Sequence, residues 1–135
     1  MVQKLIQLNH DRDFDQMKTM MTKDIVYESI PTGKKTMGVD RVIQSFIRER
    51  KAFTELECEV KRTYVAGQTV VAEQVWHMTV VSPLWKLHIG RSRKASLPVA
   101  EFFVFEDGKL KEDRVYFDLT AALRQMGANV LSIGH

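Results

Sequence analysis

Residues 99–118 read VAEFFVFEDGKLKEDRVYFD. Asp107-Gly108 marks a tight turn flanked by apolar and aromatic residues, so two antiparallel strands are expected here. A three-residue loop, Glu106-Asp107-Gly108 with a left-handed Gly108 as bulge residue, places Phe105 opposite Lys109 and Phe103 opposite Lys111. It also places Glu101 opposite Asp113 and Val99 opposite Val115. Side chains alternate faces along a strand, so Val99, Glu101, Phe103, Val115 and Phe117 then share one face. In that register Glu101 is the carboxylate of an otherwise apolar face. A two-residue loop instead sets Glu101 against Arg114 in an ordinary ion pair. The functional reading rests on the first register.

The whole chain bounds what this hairpin can belong to. It has 135 residues, enough for one domain with a real core and too few for two. A single domain over residues 1–127 with a tail at 128–135 is expected. The net charge of +3 is spread among interleaved acids and bases, without the basic stripe and stacking aromatics of a nucleic-acid binder. Cys58 is the only cysteine, which excludes an internal disulfide and a cysteine metal cluster. No 18-residue apolar run occurs and the N-terminus lacks a signal-peptide pattern, so a cytoplasmic protein without membrane contacts is expected. No His or carboxylate cluster has metal-ligand spacing, and no glycine-rich loop suggests a nucleotide. Neither metal nor cofactor is expected.

Ahead of the hairpin, Val2, Leu5, Ile6 and Asn9 recur at helical spacing over residues 2–12. Asp13 with Gln16 three residues on reads as the cap of a second helix bearing a Met17, Met20, Met21 stripe, most simply a packing surface. Residues 24–30 (DIVYESI) read as a strand with Tyr27 and Ser29 on one face, ended by Pro31-Thr32-Gly33. A third helix follows Gly38, with Val39, Val42, Ile43, Phe46 and Ile47 as its apolar stripe. Arg41, Arg48, Glu49 and Arg50 are assigned to its wet side. From Leu56 the period becomes two, with Cys58 on the apolar side as a small core residue. A turn at Ala66-Gly67-Gln68 leads into a strand over residues 69–81, carrying Gln74, Trp76 and Met78 on one face and His77 on the other. Residues 82–94 are irregular, a widened hairpin tip or a flap. After the main hairpin a short helix at 119–126 follows Asp118, a cap, and stops at Gly127. The sum is α+β: three N-terminal helices on one face of a strongly curved antiparallel sheet, with a short C-terminal helix. Phe102 and Val104 make the hairpin's second face apolar as well, and a second subunit is the simplest cover for it. A homodimer is expected.

This order, with IPTGKKTMGVDRVIQSF at residues 30–46 and GKLKEDRVYFDLTAALRQMG at 108–127, resembles the SnoaL-like polyketide cyclases. These belong to the nuclear transport factor 2-like superfamily, with ketosteroid isomerase and limonene epoxide hydrolase as relatives. The resemblance implies a cone with an apolar pocket between sheet and helices, and a superfamily in which many members are not enzymes. Position by position, much familiar chemistry is missing. The isomerases' general base falls on Ile30, and the hydrolases' Arg-x-Asp pair on Gln74 and Trp76. The hydrolases' third carboxylate and the cyclases' last-strand aspartate fall on Val115, or the latter on Asp118 if the alignment slips. The hydrolases' water-holding tyrosine is kept as Tyr27, with Ser29 at its amide partner. Glu101 matches the position where the isomerases keep a protonated acid.

A carboxyl buried on an apolar face resists ionising, so Glu101 is poised to donate a hydrogen bond or shuttle a proton. The expected function is a small cofactor-independent enzyme that isomerises or cyclises a polyketide- or terpenoid-like substrate. Glu101 and Tyr27 are its candidate catalytic residues; Trp76, Gln74, Ser29, Val99, Phe103, Val115 and Phe117 are its candidate substrate contacts. Two rivals stand beside this reading: a module that binds an apolar small molecule without changing it, and an epoxide hydrolase with a rebuilt acid–base set. For Glu101 itself the competing assignment is a structural ion pair with Arg114 or a helix lysine.

Overall fold

The architecture comes from a computed structural model that describes residues 1–81 and 93–127. The elements run α1 (Val2–His10), α2 (Phe14–Thr19), β1 (Met21–Ser29), β2 (Lys34–Met37), α3 (Val39–Arg50), β3 (Phe53–Ala66), β4 (Thr69–Val80), β5 (Arg93–Glu106), β6 (Lys109–Phe117) and α4 (Leu119–Gln125). The strands form one curved sheet in the order β2-β1-β6-β5-β4-β3. The α+β class with N-terminal helices and a short C-terminal one is as the sequence indicates. The irregular stretch at 82–94 lies outside the described residues except for Arg93 and Lys94, which open β5; the tail at 128–135 also lies outside them.

Local chemistry explains the element ends. The Asp13 carboxylate accepts from the Gln16 amide at 3.2 Å to start α2, and Asp118 accepts from Ala121 at 3.0 Å to start α4. Three expectations need correction. Met21 belongs to β1 rather than to the second helix; it is buried with Ile25, Tyr27 and Ser29 on the strand's inner face. A short strand, β2, pairs antiparallel with β1 from Val26↔Met37 to Ser29↔Lys34. Its four residues are too few to show a period. The sheet is also mixed rather than antiparallel throughout, because β1 runs parallel to β6. That pairing joins segments far apart in the chain, where no turn residue announces the direction.

The main hairpin differs from the expected register as well. Its loop is the two-residue turn Asp107-Gly108, with φ of +51° and +79°, and Glu106 pairs with Lys109. Phe105 then faces Leu110, but a bulge follows, and Val104 faces Glu112 with Lys111 as the extra residue. Beyond the bulge Phe103 pairs with Asp113, Glu101 with Val115 and Val99 with Phe117. The bulge restores the parity that the three-residue loop was expected to provide. Val99, Glu101, Phe103, Val115 and Phe117 therefore share a face as expected, although each expected partner is displaced by two residues.

The core lies between that face and the helices. Ile25, Val42, Leu97, Leu110 and Val115 are almost completely sealed from solvent. Tyr27 packs edge-on against Phe46 of α3, with ring centroids 4.9 Å apart and planes at 89°.

Candidate functional site

A cavity of about 70 Å³ opens between the helices and the inner sheet face. Leu5, Ile6 and Met17 from α1 and α2, with Phe46 from α3, form its apolar side. Leu56 and Cys58 on β3, Gln74 and Trp76 on β4, and Phe103 on β5 form the sheet side. Among apolar walls stand the carboxyls of Glu101 and Asp113, which are 8% and 4% exposed. The bulge puts Asp113 there. Leu110 and Asp113 both point inward with two residues between them, a spacing that unbroken alternation forbids.

The two carboxyls are hydrogen-bonded to each other. Glu101 Oε1 also accepts from Gln74 Nε2 at 3.0 Å, and Gln74 Oε1 accepts from Trp76 Nε1 at 3.0 Å. An indole nitrogen only donates, so Trp76 fixes which way the Gln74 amide faces. Burial pushes the Glu101 pKa up, while bonds from Asp113 and Gln74 hold it back. Asp113 is pushed well up by burial, by the charge of Glu101 and by its bond to Glu101. The pair therefore retains a proton beyond the ordinary carboxylate range, and Asp113 is its favoured carrier. Asp113 Oδ1 is sealed from solvent and has no hydrogen-bond partner among the described residues.

Of the candidate residues, Glu101, Tyr27, Trp76, Gln74 and Phe103 line the cavity. Ser29, Val99, Val115 and Phe117 are not part of its lining: Val99 and Val115 are buried core, and Ser29 Oγ accepts from Thr32 at 2.8 Å. Tyr27 remains a neutral phenol, since burial and then the nearby Glu49, Asp113 and Glu101 push its pKa well up. Gln74 is used at both ends by protein partners, so it positions Glu101 rather than standing free for a ligand. The ion-pair assignment for Glu101 does not hold. Arg114 lies on the other face, bonded to Glu112 at 3.0 Å, with its guanidinium 5.4 Å from the Phe102 ring centre.

Asp113, Glu49, Arg50 and Asn9 are cavity residues that the sequence reading did not select. Glu49 and Arg50, assigned to a wet face, extend the α3 stripe by one turn beyond Phe46; that spacing was the available signal. Burial raises the Glu49 pKa against the pull of Lys34, whose Nζ stands 3.5 Å away and donates to Ser45 at 2.9 Å. Cys58 is a thiol pushed up to about 12, first by burial and then by Glu101. Among the described residues no three His, Cys, Asp or Glu side chains converge as a metal site requires. No helix among them is long and apolar enough to cross a membrane.

The family model for SnoaL-like polyketide cyclases matches residues 1–126. The chain belongs to this family. Among solved structures, a candidate SnoaL-like polyketide cyclase from Shewanella putrefaciens CN-32 superposes with a TM-score of 0.84 over 93% of each chain at 16% identity. A nuclear transport factor 2-like protein of unknown function from Burkholderia pseudomallei K96243 gives 0.77 at 22% identity, covering 94% of this chain and 95% of that one. An LEH-like epoxide hydrolase from Mycobacterium tuberculosis gives 0.74 at 19% identity, covering 98% and 91%. At these identities the likeness establishes the fold. No curated protein matches the sequence. The family includes cyclases and isomerases.

Proposed function

We propose that this SnoaL-like protein is an acid–base enzyme that isomerises or cyclises an apolar substrate through the Glu101–Asp113 pair. The observation that carries the reading is a hydrogen-bonded carboxyl pair in an apolar cavity, with Asp113 Oδ1 left unpartnered. In this mechanism the working form of the pair has one proton and one negative charge, as two buried carboxyls with raised pKa values allow. A carbon acid gives its proton to the Asp113 carboxyl while the bridging proton passes to Glu101. The substrate becomes an enolate beside two neutral carboxyls, and proton return at another carbon completes an isomerisation. Tyr27, held neutral, is the donor for the developing oxyanion. Every proton moves between the substrate and the carboxyl pair, so the step calls for no cofactor.

The cavity, at 70 Å³, is about half the size of one that admits benzene. A polyketide- or terpenoid-sized substrate therefore needs it to widen. Arg50 and Leu56 also line an outer groove of about 790 Å³, so widening toward it adds room. The test is deuterium exchange from heavy water into a panel of cyclic ketones, followed by mass spectrometry. Wild-type exchange that falls by about 100-fold in Asp113→Asn supports the role. Full exchange by that variant refutes it, and bound ligands recovered unchanged by the wild type favour the binding module.

Asp113 also revives epoxide hydrolysis, because it supplies the second carboxyl that Glu101 lacked in the sequence reading. The Mycobacterium tuberculosis neighbour is an LEH-like epoxide hydrolase, which gives the comparison a chemical counterpart. Oxygen-18 from water appearing in a diol from an epoxide panel selects this reading over isomerisation.

A further inference from the structure

Arg50 ends α3 with its guanidinium inside the protein. The residue is 6% exposed, and its Nη1 is sealed from solvent with no hydrogen-bond partner among the described residues. Its other nitrogens reach only backbone: Nε donates to the Asn9 carbonyl at 3.3 Å and Nη2 to the His10 carbonyl at 3.5 Å. Among the described residues no carboxylate lies within 4.0 Å of it or of Arg12. Burial, and then the neighbouring cation Arg12, push the Arg50 pKa down against a smaller opposing effect of Cys58. Arg12 itself takes a left-handed backbone at φ +59° and donates to the Phe53 carbonyl at 3.3 Å.

A buried guanidinium without a counter-anion is among the costlier arrangements in a folded protein. Here it lies in the cavity wall beside a second orphan, Asn9 Oδ1, also buried and unpartnered. We propose that Arg50 Nη1 anchors a carboxylate, and that the cavity takes compact apolar carboxylic acids. The inference rests on reading the cavity as the substrate site and names the substrate class for it. Arg50 lines both cavity and groove, while Arg12 lines the groove, so a seated acid has its carboxylate at their junction and its apolar body inside. The acids facing the cavity do not forbid this. Glu49 is taken up by Lys34, burial resists ionisation of the Glu101–Asp113 pair, and neither Arg12 nor Arg50 has a carboxylate partner among the described residues.

Calorimetric titration of wild type with isobutyrate and cyclopropanecarboxylate, against their amides, tests the anchor. Acids are expected to bind at least about 10-fold more tightly than the amides, and Arg50→Met to abolish that preference without weakening the amides. Equal binding of acid and amide, no binding of the acids at millimolar concentration, or an unchanged preference in Arg50→Met overturns the proposal. Should Arg50→Met fail to fold, guanidinium NMR of the wild type decides: acids must shift the Arg50 signal and amides must not. Glu101→Gln separates this proposal from the catalytic one. Acid preference kept in that variant, with no exchange activity in the wild type, sinks the catalysis alone; exchange on neutral ketones without acid preference sinks the anchor alone.

Discussion

Glu101 and Asp113 are diagonal neighbours across the β5–β6 ladder: Glu101 stands opposite Val115 and Asp113 opposite Phe103, yet their carboxyls bond to each other. A diagonal pair on one face is within reach of long side chains. Both groups are displaced upward, Asp113 the more, because burial penalises a second negative charge beside the first.

Stability should record that displacement. Folded-state pKa values above the unfolded ones mean that the native protein holds protons the unfolded chain has released. The stabilisation is complete below about pH 4 and is lost as pH rises through the folded values. Asp113→Asn removes one titrating group while its amide can still donate to Glu101. Urea unfolding between pH 4 and 8 should show the variant's stability falling less steeply, by up to about 1.4 kcal/mol per pH unit. It should also be more stable than wild type at neutral pH. Parallel curves for the two proteins would mean that Asp113 titrates normally.

Gln74 and Trp76 act on Glu101 in series. The Gln74 bond lowers the Glu101 pKa against the effect of burial, so Gln74→Leu should raise it further. Trp76→Phe leaves the Gln74 amide unanchored, with a smaller shift in the same direction and a stability loss of about 1 kcal/mol. Carbon-detected NMR titration of the Glu101 carboxyl checks both. No shift in Gln74→Leu would remove Gln74 from the site.

These relationships were unequally legible in the sequence. The α+β order, the two helix caps and the inner face of β5 follow from local periodicity and turn chemistry, which a sequence displays directly. Asp113 was visible only by parity: the expected register put it opposite Glu101 and hence on the same face. The bulge at Lys111, which sets that parity, has no local signature in KLKED. Arg50 was masked by its neighbours in the run RERK, although its spacing from Phe46 continued the apolar stripe. The β1–β6 pairing depends on contact across most of the chain, and no neighbouring residues encode it.

Cys58 faces the same cavity from β3, and its thiol is pushed up to about 12. The thiolate is the reactive form, so almost none is present at pH 8. Iodoacetamide should alkylate native protein far more slowly than urea-unfolded protein, where the thiol regains its ordinary value of about 8.5. Equal rates would show that the cavity does not desolvate its wall, and would weaken the argument for the buried carboxyl pair.

The outer face of the hairpin bears on assembly. Phe102 and Tyr116 lie edge-to-face with centroids 5.4 Å apart, Arg114 stands over Phe102, and Tyr116 is 38% exposed. A half-open aromatic group on the sheet face opposite the cavity is a surface that a second copy would bury. We propose a homodimer through this face, and light scattering at micromolar concentration should give twice the 15.6 kDa chain mass. Tyr116→Glu places a charge in that contact and should shift the protein toward monomer. Because Tyr116 points away from the cavity, the Glu101 titration should be unchanged in the variant. A monomeric wild type would refute the dimer and leave the cavity chemistry untouched.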